Sequence, residues 1–252
     1  MDPLLSNLLY DHPELYEEIY PSTEKDIPRM AERLLAEHAP RGVRTLLDLG
    51  CGTGRHVEHF TGAGIDCVGV DYQDGMIAFA RSRRPGPDFR TGDMRSLRLG
   101  RTFDAITCLG WALSNLHTND DIARSVTTFA THARRGTLLF LHVPNAIATP
   151  EGEAFQRHFT IATPAFTATA EATYTLDRRH QLLVRRRLWR VAGQPPMPDH
   201  VRFRLLFPME LERYLTDGGF EVLGMYDNTD AEDSDLSGEA LYVLARFGGR
   251  AS

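Results

Sequence analysis

Leu46-Leu47-Asp48-Leu49-Gly50-Cys51-Gly52-Thr53-Gly54 joins an apolar run holding one acid to three alternating glycines, and Arg55-His56-Val57-Glu58-His59-Phe60 follows with helix-compatible residues. The stretch predicts a strand, a tight turn and a helix. Glycines at 50, 52 and 54 admit positive φ and let the backbone approach a ligand closely, as a nucleotide-type ligand requires at the carboxyl edge of a parallel sheet. Dinucleotide-binding turns favour G-x-G-x-x-G at the helix start, whereas here the third glycine comes one residue early and Asp48 sits within the strand. A carboxylate there favours a ligand carrying positive charge over a pyrophosphate.

Outward from this turn, predicted strands at 45–49, 66–71, 88–90, 103–109 and 136–142 alternate with predicted helices at 57–61, 75–82 and 120–132. Such alternation implies right-handed crossovers and an α/β, doubly wound, Rossmann-like parallel sheet reaching about residue 143. Upstream, 4–20 carries three tyrosines and 24–37 places Ile27, Met30, Leu34 and Leu35 at helical spacing, so two helices are expected. Downstream, 166–176, 182–191 and 201–207 read as a three-stranded antiparallel insert, punctuated at 177–180 and 193–198. A helix over 209–217, ended by Gly218-Gly219, then precedes a terminal hairpin of 220–226 and 241–247. The expected organisation is an N-terminal helical lid at 1–43, a core at 44–150 and 208–252, and a β-rich insert at 151–207.

At 252 residues the chain is long enough for one sizeable core. Its 42% hydrophobic and 25% charged residues are ordinary for a soluble globular protein, and a net charge of -6 gives no global attraction to nucleic acid. Cys51, Cys67 and Cys108 are too few and too dispersed for a disulfide framework or a zinc site and are expected to be reduced. No apolar run approaches the ~20 residues of a membrane span, and the acidic N-terminal stretch lacks a basic leader, so a cytoplasmic protein with no membrane partner is expected.

Asp71 ends the second strand, about 20 residues past the glycine turn, where an acid can hold both ribose hydroxyls of an adenosyl ligand, and Tyr72 can stack on its adenine. After the third strand, Gly92-Asp93-Met94 can set a carboxylate against the exocyclic amine and an apolar side chain beside the ring; a polar turn with a buried methionine is the alternative. Cys51, Met76, Leu109 and Gly110 complete the expected pocket. An adenosyl ligand with a sulfonium and an ammonium but no phosphate, S-adenosylmethionine, suits this set.

Asp48, the three glycines, Asp71 and Gly92-Asp93-Met94 together resemble the pattern of class I S-adenosylmethionine-dependent methyltransferases. His12-Pro13-Glu14-Leu15-Tyr16-Glu17-Glu18-Ile19-Tyr20, the run Gly92-Asp93-Met94-Arg95-Ser96-Leu97-Arg98-Leu99-Gly100 and Asn115-Leu116-His117-Thr118 are similar to the sugar N,N-dimethyltransferases of macrolide antibiotic pathways. The resemblance implies a nucleotide-linked amino sugar as acceptor, a β-rich insert over the acceptor site, and Tyr16 and Tyr20 closing over the cofactor and orienting the acceptor. Two places depart from it. After the fifth strand stands His142-Val143-Pro144-Asn145, and after the fourth Gly110-Trp111-Ala112-Leu113-Ser114-Asn115, where Trp111 makes the pocket flatter and more apolar. Trp111, Asn115 and Asn145 are therefore expected on the acceptor side.

Methyl transfer needs alignment of acceptor, methyl carbon and sulfur, and the acceptor must lose a proton. Tyr20, His117 and His142 are the candidates for that chemistry; His117 has the alternative of capping a helix, and His142 of being a satisfied core histidine. An amine nitrogen, of an amino sugar or an alkaloid-like acceptor, is favoured over oxygen or carbon. In 183–191, alternation puts Arg185, Arg187 and Trp189 on one face and Arg186 and Arg190 on the other, and Arg187 is a candidate for an acceptor's phosphates unless the face is a solvated one. A nicotinamide-dependent oxidoreductase and a catalytically inactive cofactor-binding partner are the competing functions. No metal site is expected, the acidic run at 227–235 reading as a solvated loop. Nucleic-acid methylation is disfavoured, because 109–112 lacks the tetrad that holds a flipped base. A homodimer is compatible with the chain, which does not fix its oligomeric state.

Overall fold

The computed structural model describes residues 7–20, 26–39, 41–149, 156–162, 167–193 and 195–249. Leu4 to Ser6, Glu24 and Phe166, which the predicted elements include, lie outside them.

Among the described residues, three helices, not two, precede the first strand: α1 (Leu8–Asp11), α2 (Pro13–Ile19) and α3 (Asp26–His38). Pro13 divides the tyrosine-rich stretch, because its ring has no N–H to continue α1 and its fixed φ suits the first position of α2. The core then alternates as expected: β1 (Thr45–Leu49), α4 (Arg55–Gly62), β2 (Asp66–Asp71), α5 (Asp74–Arg83), β3 (Asp88–Thr91), β4 (Phe103–Cys108), α6 (Asn119–Thr131) and β5 (Ala133–Pro144). A 3₁₀ turn, Ala112–Asn115, bridges β4 and α6. The chain closes with α7 (Pro208–Asp217) and the hairpin Phe220–Tyr226 and Ala240–Phe247.

Between them lies the insert: β6 (Gln156–Ala162), β7 (Thr167–Asp177), β8 (Leu182–Val191) and β9 (Met197–Arg204), with the hairpin strands numbered β10 and β11. It has four antiparallel strands where three are expected. Gln156–Ala162 has no clean period-two pattern and is a strand because it pairs along its whole length with β7.

The main sheet has seven strands in the order β10-β11-β5-β4-β1-β2-β3. Strands β3, β2, β1, β4 and β5 run parallel, and β11 sits antiparallel between β5 and β10. Alternation in β1 sends Leu47 and Leu49 to one apolar layer with Ile122, Phe129, Leu211 and Leu215 of α6 and α7. Leu46 goes to the opposite layer with Leu34 of α3, Phe60 of α4 and Ile77 of α5. Helices thus cover both faces, and each fully buried Leu or Phe contributes ~1.5–3 kcal/mol. Strand order reverses between β1 and β4, which opens a crevice at their carboxyl ends.

Candidate active site

A cavity of about 290 Å³ occupies that crevice. Its floor is the turn after β1, where Gly50 and Cys51 donate their N–H groups to Val70 O at 2.8 and 3.0 Å. At Gly50, with φ of +79°, a Cβ would stand 2.3 Å from the Ala112 side chain, so only glycine lets the two turns meet. Gly54 instead starts α4 at φ of +84°, and a Cβ there would enter the Phe89 ring at 2.6 Å; it serves helix packing and does not line the cavity.

Tyr16, Gly50, Cys51, Gly52, Asp71, Tyr72, Met76, Gly92, Asp93, Met94, Leu109, Gly110, Asn115 and His117 line the cavity together. Asp71 ends β2 and accepts the Gly52 N–H on Oδ2 at 2.8 Å and the Gln73 N–H on Oδ1 at 2.9 Å. Those bonds do not exhaust its lone pairs, and burial still raises its carboxyl above the usual range. Asp93 is gripped by Arg95, whose Nη2 lies 2.7 Å from Oδ2, and this pairing lowers its carboxyl. Arg95 also reaches Asp121 at 3.1 Å, which ties the turn after β3 to α6.

Two tyrosines roof the site. Tyr10 and Tyr16 line it from α1 and α2, and burial raises both phenols. Arg55, the first residue of α4, places its guanidinium 5.7 and 5.6 Å from the Tyr16 and Tyr20 ring centres and donates to Tyr20 O at 3.0 Å. Glu17 clamps α2 to the glycine turn: it accepts the Thr53 hydroxyl, and Arg84 donates to it at 2.7 Å while also holding Glu58 and Thr53 O.

Besides Gly54, six expected site residues lie elsewhere. Asp48 faces away from the cavity on the layer beneath the turn, opposite Thr107 in the β1–β4 register, and accepts its hydroxyl at 2.7 Å. Its Oδ2 has no partner among the described residues, and burial pushes its carboxyl up to about 7. Tyr20 caps α2 and packs on Tyr16 with ring centres 5.0 Å apart, behind the roof. Trp111 turns toward the insert, edge-on to Phe203 of β9 at 5.4 Å. Asn145 holds the loop before β11 by donating to Leu236 O and Gly238 O at 2.6 and 2.8 Å. Arg187 is paired with Asp199 inside the insert, Nε and Nη2 lying 2.9 and 2.5 Å from Oδ2, while its Nη1 has no hydrogen-bond partner among the described residues.

His142 is also displaced from the base role. The Gly110 N–H points at its Nδ1 from 3.2 Å and the Trp111 indole N–H at its Nε2 from 3.1 Å. A neutral imidazole has one acceptor nitrogen, so it accepts from one of them, and a protonated ring would confront two donors. Burial lowers it to about 3. It is a neutral anchor for the turn after β4, stacked on Tyr242. His117 stays on the cavity wall, and its Nε2 donates to Arg202 O of β9 at 2.9 Å.

Tyr10, Arg55, His56, Arg95 and Asp121 are cavity residues that sequence reasoning missed. Tyr10 had a signal, being the first of the three N-terminal tyrosines, and Arg55 directly follows the last glycine of the turn. Nothing local marks Asp121.

A family profile described as "Methyltransferase domain" matches residues 46–136, the span from β1 into β5. Residues 46–136 are thus similar to a methyltransferase domain. Two curated relatives extend the match. The dTDP-3-amino-3,4,6-trideoxy-alpha-D-glucopyranose N,N-dimethyltransferase of Streptomyces venezuelae is 34% identical over 128 residues, 50% of this chain and 54% of that protein. The dTDP-3-amino-3,6-dideoxy-alpha-D-glucopyranose N,N-dimethyltransferase of Streptomyces fradiae is 32% identical over 171 residues, 66% of this chain and 62% of that protein. The chain thus spans about half to three-fifths of the length of the curated relatives it matches. Among solved structures, an S-adenosylmethionine-bound amino pentose methyltransferase from Micromonospora echinaspora, involved in calicheamicin biosynthesis, superposes with a TM-score of 0.78 and 26% identity over 92% of this chain and 96% of its own. The N-terminal helices and the insert thus lie in an arrangement that a solved methyltransferase shares.

Proposed function

We propose that the protein transfers a methyl group from S-adenosylmethionine to the amine nitrogen of a nucleotide-linked amino sugar in natural-product biosynthesis. The observation that carries this reading is the donor set of the cavity: the Asp71 carboxylate at the end of β2, glycine backbone in the floor and tyrosines above. This set fits the cofactor. Nothing stands within 4 Å of a Cβ built on Gly52, so the turn has open space before it, and Arg55, which follows the turn in sequence, has its charge set against two aromatic rings. The names of the relatives support an amino sugar as acceptor.

When bound, the cofactor supplies an electrophilic methyl group on a sulfonium. Asp71 would accept hydrogen bonds from its ribose, Asp93, held by Arg95, would stand beside the adenine amine, and Met76, Met94 and Leu109 would pack against the base. Tyr10 and Tyr16, protonated at neutral pH, exclude water and present hydroxyl donors. The acceptor amine would attack through its neutral lone pair as the methyl–sulfur bond breaks, and His117, whose Nε2 donates to Arg202 O, would take up the proton that the nitrogen sheds on Nδ1. Calorimetry tests the reading first: S-adenosylhomocysteine is expected to bind and NADH is not. Mass-resolved turnover of a dTDP-amino sugar then tests the acceptor, and a gain of one or two methyl masses is expected. Binding of NADH alone would overturn the assignment.

A further inference from the structure

The inner face of β8 carries two buried arginines in different states. Leu183, Arg185, Arg187 and Trp189 are buried while Arg186 and Arg190 are exposed, so the alternating face turns inward. Arg187 has a carboxylate, Asp199, directly opposite on β9. Arg185 has Val201 opposite on β9 and Tyr174 on β7. Only 6% of its surface is exposed, yet its Nε and Nη2 have no hydrogen-bond partner, and no carboxylate pairs with it among the described residues. Its guanidinium lies over the Phe203 ring at 5.6 Å, which leaves the in-plane donors unused.

A buried guanidinium without a counter-charge is among the costliest groups a fold can hold, and its usual justification is a ligand. The surroundings say where that ligand sits. Phe203 packs edge-on against Trp111, which follows the cavity residue Gly110, and His117 of the cavity wall bonds to β9. On the other side, Arg185 is the strongest charge acting on the Tyr10 phenol in the roof. These links tie the guanidinium, through Phe203 and β9, to the end of the cavity walled by Tyr10, Asn115 and His117, although Arg185 is not itself among the lining residues.

We infer that Arg185 is the specificity-determining contact for an oxyanion carried by the methyl acceptor, a phosphate or a carboxylate, which supplies the counter-charge the fold withholds. The inference rests on the methyltransferase reading above and deepens it: the acceptor is an anionic amine. A guanidinium fork suits either group, and a nucleotide-linked sugar would present its diphosphate. Arg187 is instead paired with Asp199, which also accepts the Trp189 indole N–H.

The test uses the full chain saturated with S-adenosylhomocysteine and titrates dTDP, inorganic pyrophosphate and succinate into wild type, Arg185→Met and Arg185→Lys. At least one probe is expected to bind wild type; tighter dTDP or pyrophosphate assigns a phosphate, and tighter succinate a carboxylate. Arg185→Met should weaken that probe about 30-fold and Arg185→Lys less, as loss of a charge-assisted pair predicts. Affinity for S-adenosylhomocysteine should stay within about twofold, since the residue is tied to the other end of the cavity. The melting temperature of unliganded Arg185→Met should rise, because an uncompensated buried charge has been removed, whereas a merely structural arginine would lower it. Equal probe binding by wild type and Arg185→Met overturns the inference, as does a wild type that binds none of the three. Failure of S-adenosylhomocysteine to bind wild type overturns the methyltransferase reading itself and the inference with it. If the methionine variant does not fold, the lysine variant and Arg185→Gln give the same affinity readout.

Discussion

The two ends of the cavity are built by different means. The end holding Asp71 and Asp93 consists of turns that follow β1, β2 and β3, each fixed within a few residues of a strand of the parallel sheet. The other end joins α1, α2 and the turn after β4, and His117 of its wall bonds to an insert strand more than a hundred residues after the glycines. One end is stiff because its backbone is anchored to the ladder, as with Gly50 and Cys51 on Val70 O. The other depends on side chains that bridge separate elements, as Glu17 does between Thr53 and Arg84. A fold can thus keep a cofactor site constant while the acceptor site varies, because nothing in the sheet dictates the latter.

Substitutions that strike the stiff end should cost most. Gly50→Ala forces a Cβ against Ala112 at positive φ, and we expect a loss of about 3 kcal/mol in stability with no measurable cofactor binding, read by denaturant titration and calorimetry. Wild-type affinity in that variant would break the contrast outright. Asp71→Ala removes the carboxylate that holds Gly52 and Gln73 and should weaken S-adenosylhomocysteine by about 1.5–3 kcal/mol in the same assay. At the bridged end, Glu17→Gln leaves Arg84 with Glu58 and Thr53 O, so about 1–2 kcal/mol of stability is expected to go. Amide exchange should then quicken in α1 and α2 and remain slow in β1 and β2. Uniform acceleration would erase the distinction between the two ends.

A pH series sharpens the same comparison beneath the turns. Asp48, raised from 3.8 to about 7, holds its proton more tightly folded than unfolded, so its contribution is present at low pH and lost as pH rises through that interval. His142, lowered from 6.5 to about 3, contributes in the opposite sense: its share is present above 6.5 and lost as pH falls toward 3. From about pH 4 to 6.5 the two slopes oppose each other. Asp48→Asn should leave the histidine slope uncovered, so stability rises with pH there by up to ~1.4 kcal/mol per unit, measured by chemical denaturation across the window. A variant with the same profile as wild type would deny that these groups are buried as described.

The legible residues are those whose role is local. Gly50 and Gly52 with Asp71 and Gly92-Asp93-Met94 reach the cavity because strand ends and turns follow from period-two alternation and glycine placement. Asp48 was legible as a buried acid at the strand end but not in its orientation, since a one-residue change of parity sends it to Thr107 instead of the ligand. His142 and Asn145 belong to the same turn region as expected, yet Trp111 and the loop before β11, both distant in sequence, occupy their polar atoms. Tyr10 and Asp121 enter the site only because α1 and α6 dock beside the turns.

What the sequence settled alone was the doubly wound core, its glycine turn and the acid that ends β2, because each rests on a short run whose pattern permits one backbone path. What the tertiary structure decided was the partner of each buried polar group. Arg185 and Arg187 are two residues apart on one strand face and chemically identical, and their difference arises from what stands opposite on β9: a valine for one and an aspartate for the other. Cross-strand register carries that information, and register between segments is fixed only when the chain folds.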